Sequence, residues 1–137
     1  MNNILHRDIK IENILMGDFT ENSYVRIADL GSATVLDSPQ SKTGFVIGTP
    51  GYIAPELLLE QPYGLSADVW SLGCLLHVML TAQPPFWSDD RKERKQRVCF
   101  EPLDFAANVH TAKLSSNCKE FLSLMLMKDP DARPTIS

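Results

Sequence analysis

Along the first thirty residues, short apolar runs alternate with polar turns: Asn3 to Leu5, Asn13 to Met16 and Tyr24 to Ala28, with Gly17-Asp18 and Glu21-Asn22-Ser23 punctuating the last two. Runs this short between turn formers predict short strands joined by loops. From Ser32 to Thr49 the composition shifts to Ser, Thr, Gly and Pro without a period, which predicts a long ordered or switchable loop. Ser66 then precedes Ala67-Asp68-Val69-Trp70 as an N-cap before an acidic first turn. The helix so opened, at about 66–82, is apolar on nearly every face and is expected to be buried all round. Pro84-Pro85 stops it. A second helix is predicted from Ser115 or Ser116 to about Lys128, with Phe121, Leu122, Met125 and Leu126 on one face and Asp129-Pro130 at its end. The fold class expected is mainly α with a few short β-strands, and the chain has no repeats.

At 137 residues and 44% apolar content the chain fits one domain at most, large enough to bury a core without disulfides or structural metal. Thirteen basic and seventeen acidic residues give a net charge of −4. That leaves no broad cationic surface, so neither nucleic acid nor a membrane is expected as a partner. The one basic cluster is Arg91, Lys92, Arg94, Lys95 and Arg97, broken by Glu93. It reads as a solvated loop or helix face, with a docking patch as the alternative. Cys74, Cys99 and Cys118 are an odd number without close pairs and read as reduced thiols, with Cys74 and Cys118 expected to fill core in helical stretches. No targeting pattern occurs in Met1 to Ile14, and the apolar stretch Val69 to Ala82 is too short to cross a bilayer. A cytoplasmic or nuclear location is expected.

The segment His6-Arg7-Asp8-Ile9-Lys10-Ile11-Glu12-Asn13 is followed, sixteen residues beyond Asn13, by Asp29-Leu30-Gly31. A lone Asp or Asn in a loop is more often a turn former than a ligand. The ordered set is different: it resembles the catalytic loop and metal-binding turn of protein kinases. Gly48-Thr49-Pro50-Gly51-Tyr52-Ile53-Ala54-Pro55-Glu56 is similar to the end of a kinase activation segment, Asp68-Val69-Trp70-Ser71-Leu72-Gly73 to the central buried helix, and Asp131-Ala132-Arg133-Pro134 to a late loop. The resemblance covers nearly the whole chain, and an unrelated metal-binding or helical interaction domain is set aside on that ground.

Phosphoryl transfer builds charge on the transferring oxygens, so a site needs magnesium ligands, a cation near the phosphate and an acceptor for the attacking hydroxyl. The resemblance implies that Asp8 orients the substrate hydroxyl and accepts its proton, that Lys10 steadies the γ-phosphate of ATP, and that Asn13 and Asp29 hold Mg2+, with Gly31 in the same turn. It implies an activation segment at 29–56, pinned by a buried ion pair between Glu56 and Arg133. Asp68 is expected to accept N–H bonds from the catalytic loop, with a surface helix cap as the alternative. Lys10 and the Gly48-Thr49 platform favour Ser/Thr over Tyr acceptors, with the Thr49 hydroxyl near Asp8 and Lys10. Arg7 before Asp8 suggests control by an upstream activating kinase, through a phosphate at Ser38, Ser41 or, by its spacing, Thr43. The wording around Thr49 and Pro84-Pro85-Phe86-Trp87 is most similar to the calcium/calmodulin-dependent group.

The match departs from a whole kinase domain. The Gly-rich loop, the strand Lys and the helix Glu that pairs with it are not found, so the chain is expected to be a C-terminal-lobe fragment, truncated at both ends, without the smaller lobe. Ile11 stands for the Pro common after the Lys, and Leu30 for the usual Phe. Two readings follow: a protein kinase region that is enzymatic in its parent protein, or a non-catalytic kinase-like chain that acts by protein binding. The unpartnered apolar surface implied by a missing lobe predicts poor solubility of the isolated chain.

Overall fold

The computed structural model describes residues 3–18, 20, 22–107 and 109–135. Glu21, in one of the expected turns, and the two chain ends lie outside the described residues.

Each of the three expected short strands forms. Strand β1 (Ile4–Leu5) pairs antiparallel with β4 (Thr34–Val35), Leu5 opposite Thr34. Strands β2 (Ile14–Met16) and β3 (Val25–Ile27) form a separate hairpin with Leu15 opposite Arg26. The strands are too short to build a layer. They act as ties that bring residues 6–13 beside residues 28–33. The hairpin leaves Leu15, Met16, Val25 and Ile27 exposed, and Leu30 beside it is exposed as well.

The core lies around α2 (Ser66–Thr81), with α5 (Ser116–Met125) and α4 (Val109–Ala112) packed on it. Trp70, Cys74, Leu122 and Leu126 are buried together with Leu5, Leu57 and Tyr63. Gly73 is the point of closest approach: a Cβ there would lie 3.0 Å from Leu126 and Met125, so α5 could not sit as near to α2 with any larger residue. The short helix α1 (Pro55–Leu58) starts with Pro at its first turn and lies against α3 (Arg91–Phe100).

Three expectations are corrected. Ser66 is not the N-cap: Leu65 holds that position, no side chain caps the helix, and the Ser66 carbonyl is taken by Arg133. Helix α2 is not buried all round, because Met79 faces solvent at 68% exposure. Helix α5 is capped by Ser115, which accepts from Cys118 N–H, but it ends at Met125, and Phe121 lies at the open edge of its stripe. Cys74 is buried and its thiol is pushed well up by desolvation, as a core-filling residue requires, whereas Cys118 is only half-buried.

Around Trp70 the packing is electrostatic as well as apolar. Phe86 stacks on it at 5.9 Å, while the Arg133 guanidinium and Lys128 ammonium each lie 5.1 Å from its ring. Lys128 also sits 3.5 Å over Phe86 and donates to the Val98 carbonyl at 2.7 Å, closing the end of α3.

Candidate functional site

Strand β1 delivers the chain at His6 to the first turn of α2. There Asp68 accepts the His6 N–H on Oδ2 at 2.7 Å and the Arg7 N–H on Oδ1 at 3.0 Å. Burial raises the Asp68 pKa, and the two N–H bonds oppose that rise in part. With Arg7 in the left-handed region at φ 69°, the carboxylate fixes a turn that would otherwise be strained. Asp68 is therefore a loop anchor rather than a surface cap.

His6 opens the catalytic-loop segment with no role assigned from sequence, yet its ring ties both halves of the site. Nδ1 accepts the Asp8 N–H at 3.3 Å, so in the neutral ring the proton sits on Nε2, which donates to the Ala28 carbonyl at 3.0 Å. The signal for such a role is its burial next to a polar loop, which the sequence does not display.

Asp8, Lys10 and Thr49 form a closed triangle. The Thr49 hydroxyl donates to Asp8 Oδ1 at 2.6 Å, and Lys10 Nζ donates to Asp8 Oδ2 at 2.7 Å and to Thr49 Oγ1 at 2.8 Å. Partial burial pushes the Asp8 carboxyl up, but the hydrogen bonds from Lys10 and Thr49 together outweigh it and hold Asp8 below the usual carboxylate range. The Asp8 bond raises the Lys10 pKa, with a smaller contribution from the charge on Asp29. Thr49 can come this close because Gly48 (φ 131°) passes the Arg7 carbonyl, where a Cβ would sit 3.2 Å away.

A 3-10 turn at Ile11–Asn13 folds Asn13 back so that its side-chain amide donates to the Asp8 carbonyl at 2.9 Å. The Asn13 carbonyl in turn accepts from Ala28 N–H at 2.8 Å. That bond and the His6 ring set the residue just before Asp29. Asp29 itself is exposed, at φ 63°, with Oδ1 accepting from Gly31 N–H at 3.1 Å. Asn13 thus retains its amide oxygen and Asp29 a second carboxylate oxygen. Two hard oxygen donors of this kind suit magnesium, whose remaining positions phosphate and water normally fill. Among the described residues no group of three or more His, Cys, Asp or Glu side chains is placed to hold a metal ion alone.

The residues around this centre are held from below. Arg133 and Glu56 form a bidentate pair, both bonds 2.7 Å and both side chains almost fully buried. The other three guanidinium N–H groups donate to the carbonyls of Met127, Ser66 and Lys128, so all five donors are used. The Ser71 hydroxyl on α2 donates to the Tyr52 carbonyl at 2.9 Å. Thr43 is paired through both backbone groups with Tyr63, at 2.8 and 2.9 Å. Arg7 Nε donates to the Ser32 carbonyl, and among the described residues no hydrogen bond joins Arg7 to Thr43, Ser38 or Ser41. The structure thus gathers Asp8, Lys10, Asn13 and Thr49 directly, sets Asp29 beside them through Ala28, and leaves Thr43 apart. No helix among the described residues is long and apolar enough to cross a membrane.

Across residues 1–137 the chain matches the protein kinase domain. It is 34% identical over its whole length to calcium/calmodulin-dependent protein kinase type II subunit delta of Oryctolagus cuniculus, of which it spans 26%. It is 35% identical over 134 residues, 98% of the chain, to serine/threonine-protein kinase PLK4 of Danio rerio and to calcium/calmodulin-dependent protein kinase type 1 of Caenorhabditis elegans, spanning 13% and 38% of those proteins. The chain is therefore well under half the length of these relatives. With its motifs in family order and the match running from end to end, the chain belongs to the protein kinase family and resembles the serine/threonine kinases, those of the calcium/calmodulin-dependent type among them.

Proposed function

We propose that this chain is the C-terminal-lobe part of a serine/threonine protein kinase, carrying its catalytic loop and activation segment, and that its parent protein transfers the γ-phosphoryl group of ATP to Ser or Thr hydroxyls of proteins. The observation that carries the reading is the Asp8–Lys10–Thr49 triangle. It presents a hydroxyl to a carboxylate with an ammonium shared between them.

An incoming acceptor hydroxyl is oriented by Asp8 as the Thr49 hydroxyl is now. A bond forms from that oxygen to the γ-phosphorus as the bond to the β-phosphate oxygen breaks, and the proton passes to Asp8. The depressed Asp8 pKa makes the carboxylate a weak base, so its main work is orientation, with proton transfer late. Lys10 places positive charge where the transferring oxygens gain negative charge. Asn13 and Asp29 would hold Mg2+, which when bound neutralises phosphate charge. His6 and Asp68 keep the loop in register, and the Glu56–Arg133 pair anchors the segment that bears Thr49.

The test is magnesium-dependent phosphate transfer from ATP to a generic Ser/Thr peptide by the full-length protein. Asp8→Asn is expected to lower the rate by about 10²–10⁴-fold. Transfer at the wild-type rate by that variant would refute the proposal. Absence of transfer by the intact protein, with peptide still bound, would favour the non-catalytic, binding reading.

A further inference from the structure

Helix α3 carries Arg91, Arg94, Lys95 and Val98 at i, i+3, i+4 and i+7, a single face of the helix. On a helix packed against its own domain that stripe is ordinarily apolar. Here three of its four positions are cationic, and Val98 alone is buried. The face lines a groove of about 380 Å³ whose other wall is the Pro50-Gly51 turn and helix α1. Pro50, Ile53 and Leu57 give the groove an apolar side, and among the described residues that line it Glu60 is the single carboxylate.

The cations of this helix are not equally engaged. Arg97 pairs with Glu93 at 2.6 Å, away from the groove. Arg94 lies 4.7 Å over the Trp87 ring and donates to the Ser88 carbonyl at 2.7 Å. Arg91 and Lys95 are exposed, and among the described residues their side chains enter no salt bridge or hydrogen bond. In a chain of net charge −4, two exposed cations without a side-chain partner among the described residues, on the groove face of a helix and opposite an apolar wall, are complementary to an acidic and partly apolar occupant.

The groove also starts where a substrate would arrive. Pro50 directly follows Thr49, whose hydroxyl is 2.6 Å from the Asp8 carboxylate. An extended peptide with its acceptor residue at Asp8 advances about 3.3 Å per residue, so it reaches α3 within a few positions. We propose that the groove between Pro50 and α3 selects protein substrates bearing acidic side chains a few residues from the Ser/Thr acceptor, with Arg91 and Lys95 as the specificity-determining contacts. The inference rests on the phosphoryl-transfer reading above and names its substrate class.

The experiment uses the full-length protein and fluorescein-labelled peptides with one Ser. Separate peptides carry Glu at positions two to four on either side of it, and a matched peptide carries Ala there. Anisotropy reads binding and labelled phosphate reads transfer. On one side of the Ser, the acidic peptide is expected to bind and react about tenfold better than the Ala peptide, less so at high salt. R91E with K95E should abolish that preference and turn it toward a Lys-bearing peptide, while K92E, off the groove face, should leave it intact. Circular dichroism confirms that the variants stay folded.

Equal handling of acidic and Ala peptides overturns the proposal, as does a preference that survives R91E with K95E. So does tighter binding of a single-stranded oligonucleotide of equal charge, or a dimer that R91E with K95E dissolves while no acidic peptide binds. Transfer to the Ala peptide without acidic preference sinks the groove alone and leaves the kinase reading standing. An Arg91- and Lys95-dependent binding preference without any transfer supports the groove and counts against that reading.

Discussion

Replacing Arg133 by methionine removes a guanidinium that is fully enclosed, its side chain 0% exposed against 2% for Glu56. Two losses follow. The Glu56 carboxylate is left buried without the guanidinium that pairs with it, a situation that costs about 3–5 kcal/mol. The carbonyls of Ser66, Met127 and Lys128 lose a donor each, which adds about 1–3 kcal/mol in total where water cannot replace it. Glu56→Leu should cost about as much as the first loss, since it strands the guanidinium instead. The double variant removes both charges and retains only the unmet carbonyls, so it should be milder than the sum of the single variants by the two stranded-charge costs, about 6–10 kcal/mol. Arg133→Lys keeps charge but cannot make five planar N–H bonds, so it should recover only part of the loss. Guanidinium unfolding of the full-length protein and its three variants gives the cycle. Additivity to within about 0.5 kcal/mol, or a cost below about 1 kcal/mol for Arg133→Met, would refute the reasoning.

The remaining predictions concern the loop, the cation at the end of α3 and the segment before Thr49. Asp68→Asn presents an NH2 group to one of the two N–H donors at His6 and Arg7, so the transfer rate should fall at least tenfold while peptide affinity stays near wild type; unchanged kcat would contradict the anchoring role. Lys128 is lowered by burial to about 8, so between that value and the ordinary 10.5 the unfolded chain binds a proton that the native state has released. Stability should therefore rise as pH increases from 8 to 10.5. Because the side chain is only half-buried, the rise is reduced by solvent screening to about 1–2 kcal/mol, and Lys128→Met should abolish it; parallel pH profiles of the two proteins would count against this. We propose Thr43 as the activating phosphorylation site, with the Tyr63 backbone pairing holding it in place; Thr43→Ala should remove stimulation by an activating kinase, and a fully active Thr43→Ala protein would reject the assignment.

How much of this was readable from residues alone depends on the range of the interaction. Strands β1, β2 and β3 follow from apolar runs between turn formers, and Ser115 marks the start of α5 because capping is local. Helix α3 was less legible, since only Val98 and Cys99 near its end are buried and the stretch before them is almost all charged, which leaves no apolar period. Helix α1 is four residues long, too short for any period to register. At the site, the residue types of Asp8, Lys10, Asn13 and Asp29 are visible in order, and the Glu56–Arg133 pair is expected across 77 positions only through resemblance. What the sequence hides is the bonding of backbone groups: the three carbonyls on Arg133, the His6 ring between Asp8 and Ala28, and the Thr43–Tyr63 bridge. These depend on where remote segments come to rest, and neither composition nor periodicity encodes that.

Asp8, Lys10, Asn13 and Asp29 are proposed to serve one magnesium-bound nucleotide. Titration calorimetry of ATP into the full-length protein, with and without Mg2+, tests this for the wild type, Asp29→Asn, Asn13→Ala and the surface control Asp18→Asn. The metal should strengthen ATP binding in the wild type and in the control, and that gain should fall by about tenfold or more in the other two. A magnesium effect that persists undiminished in both Asp29→Asn and Asn13→Ala would contradict the account.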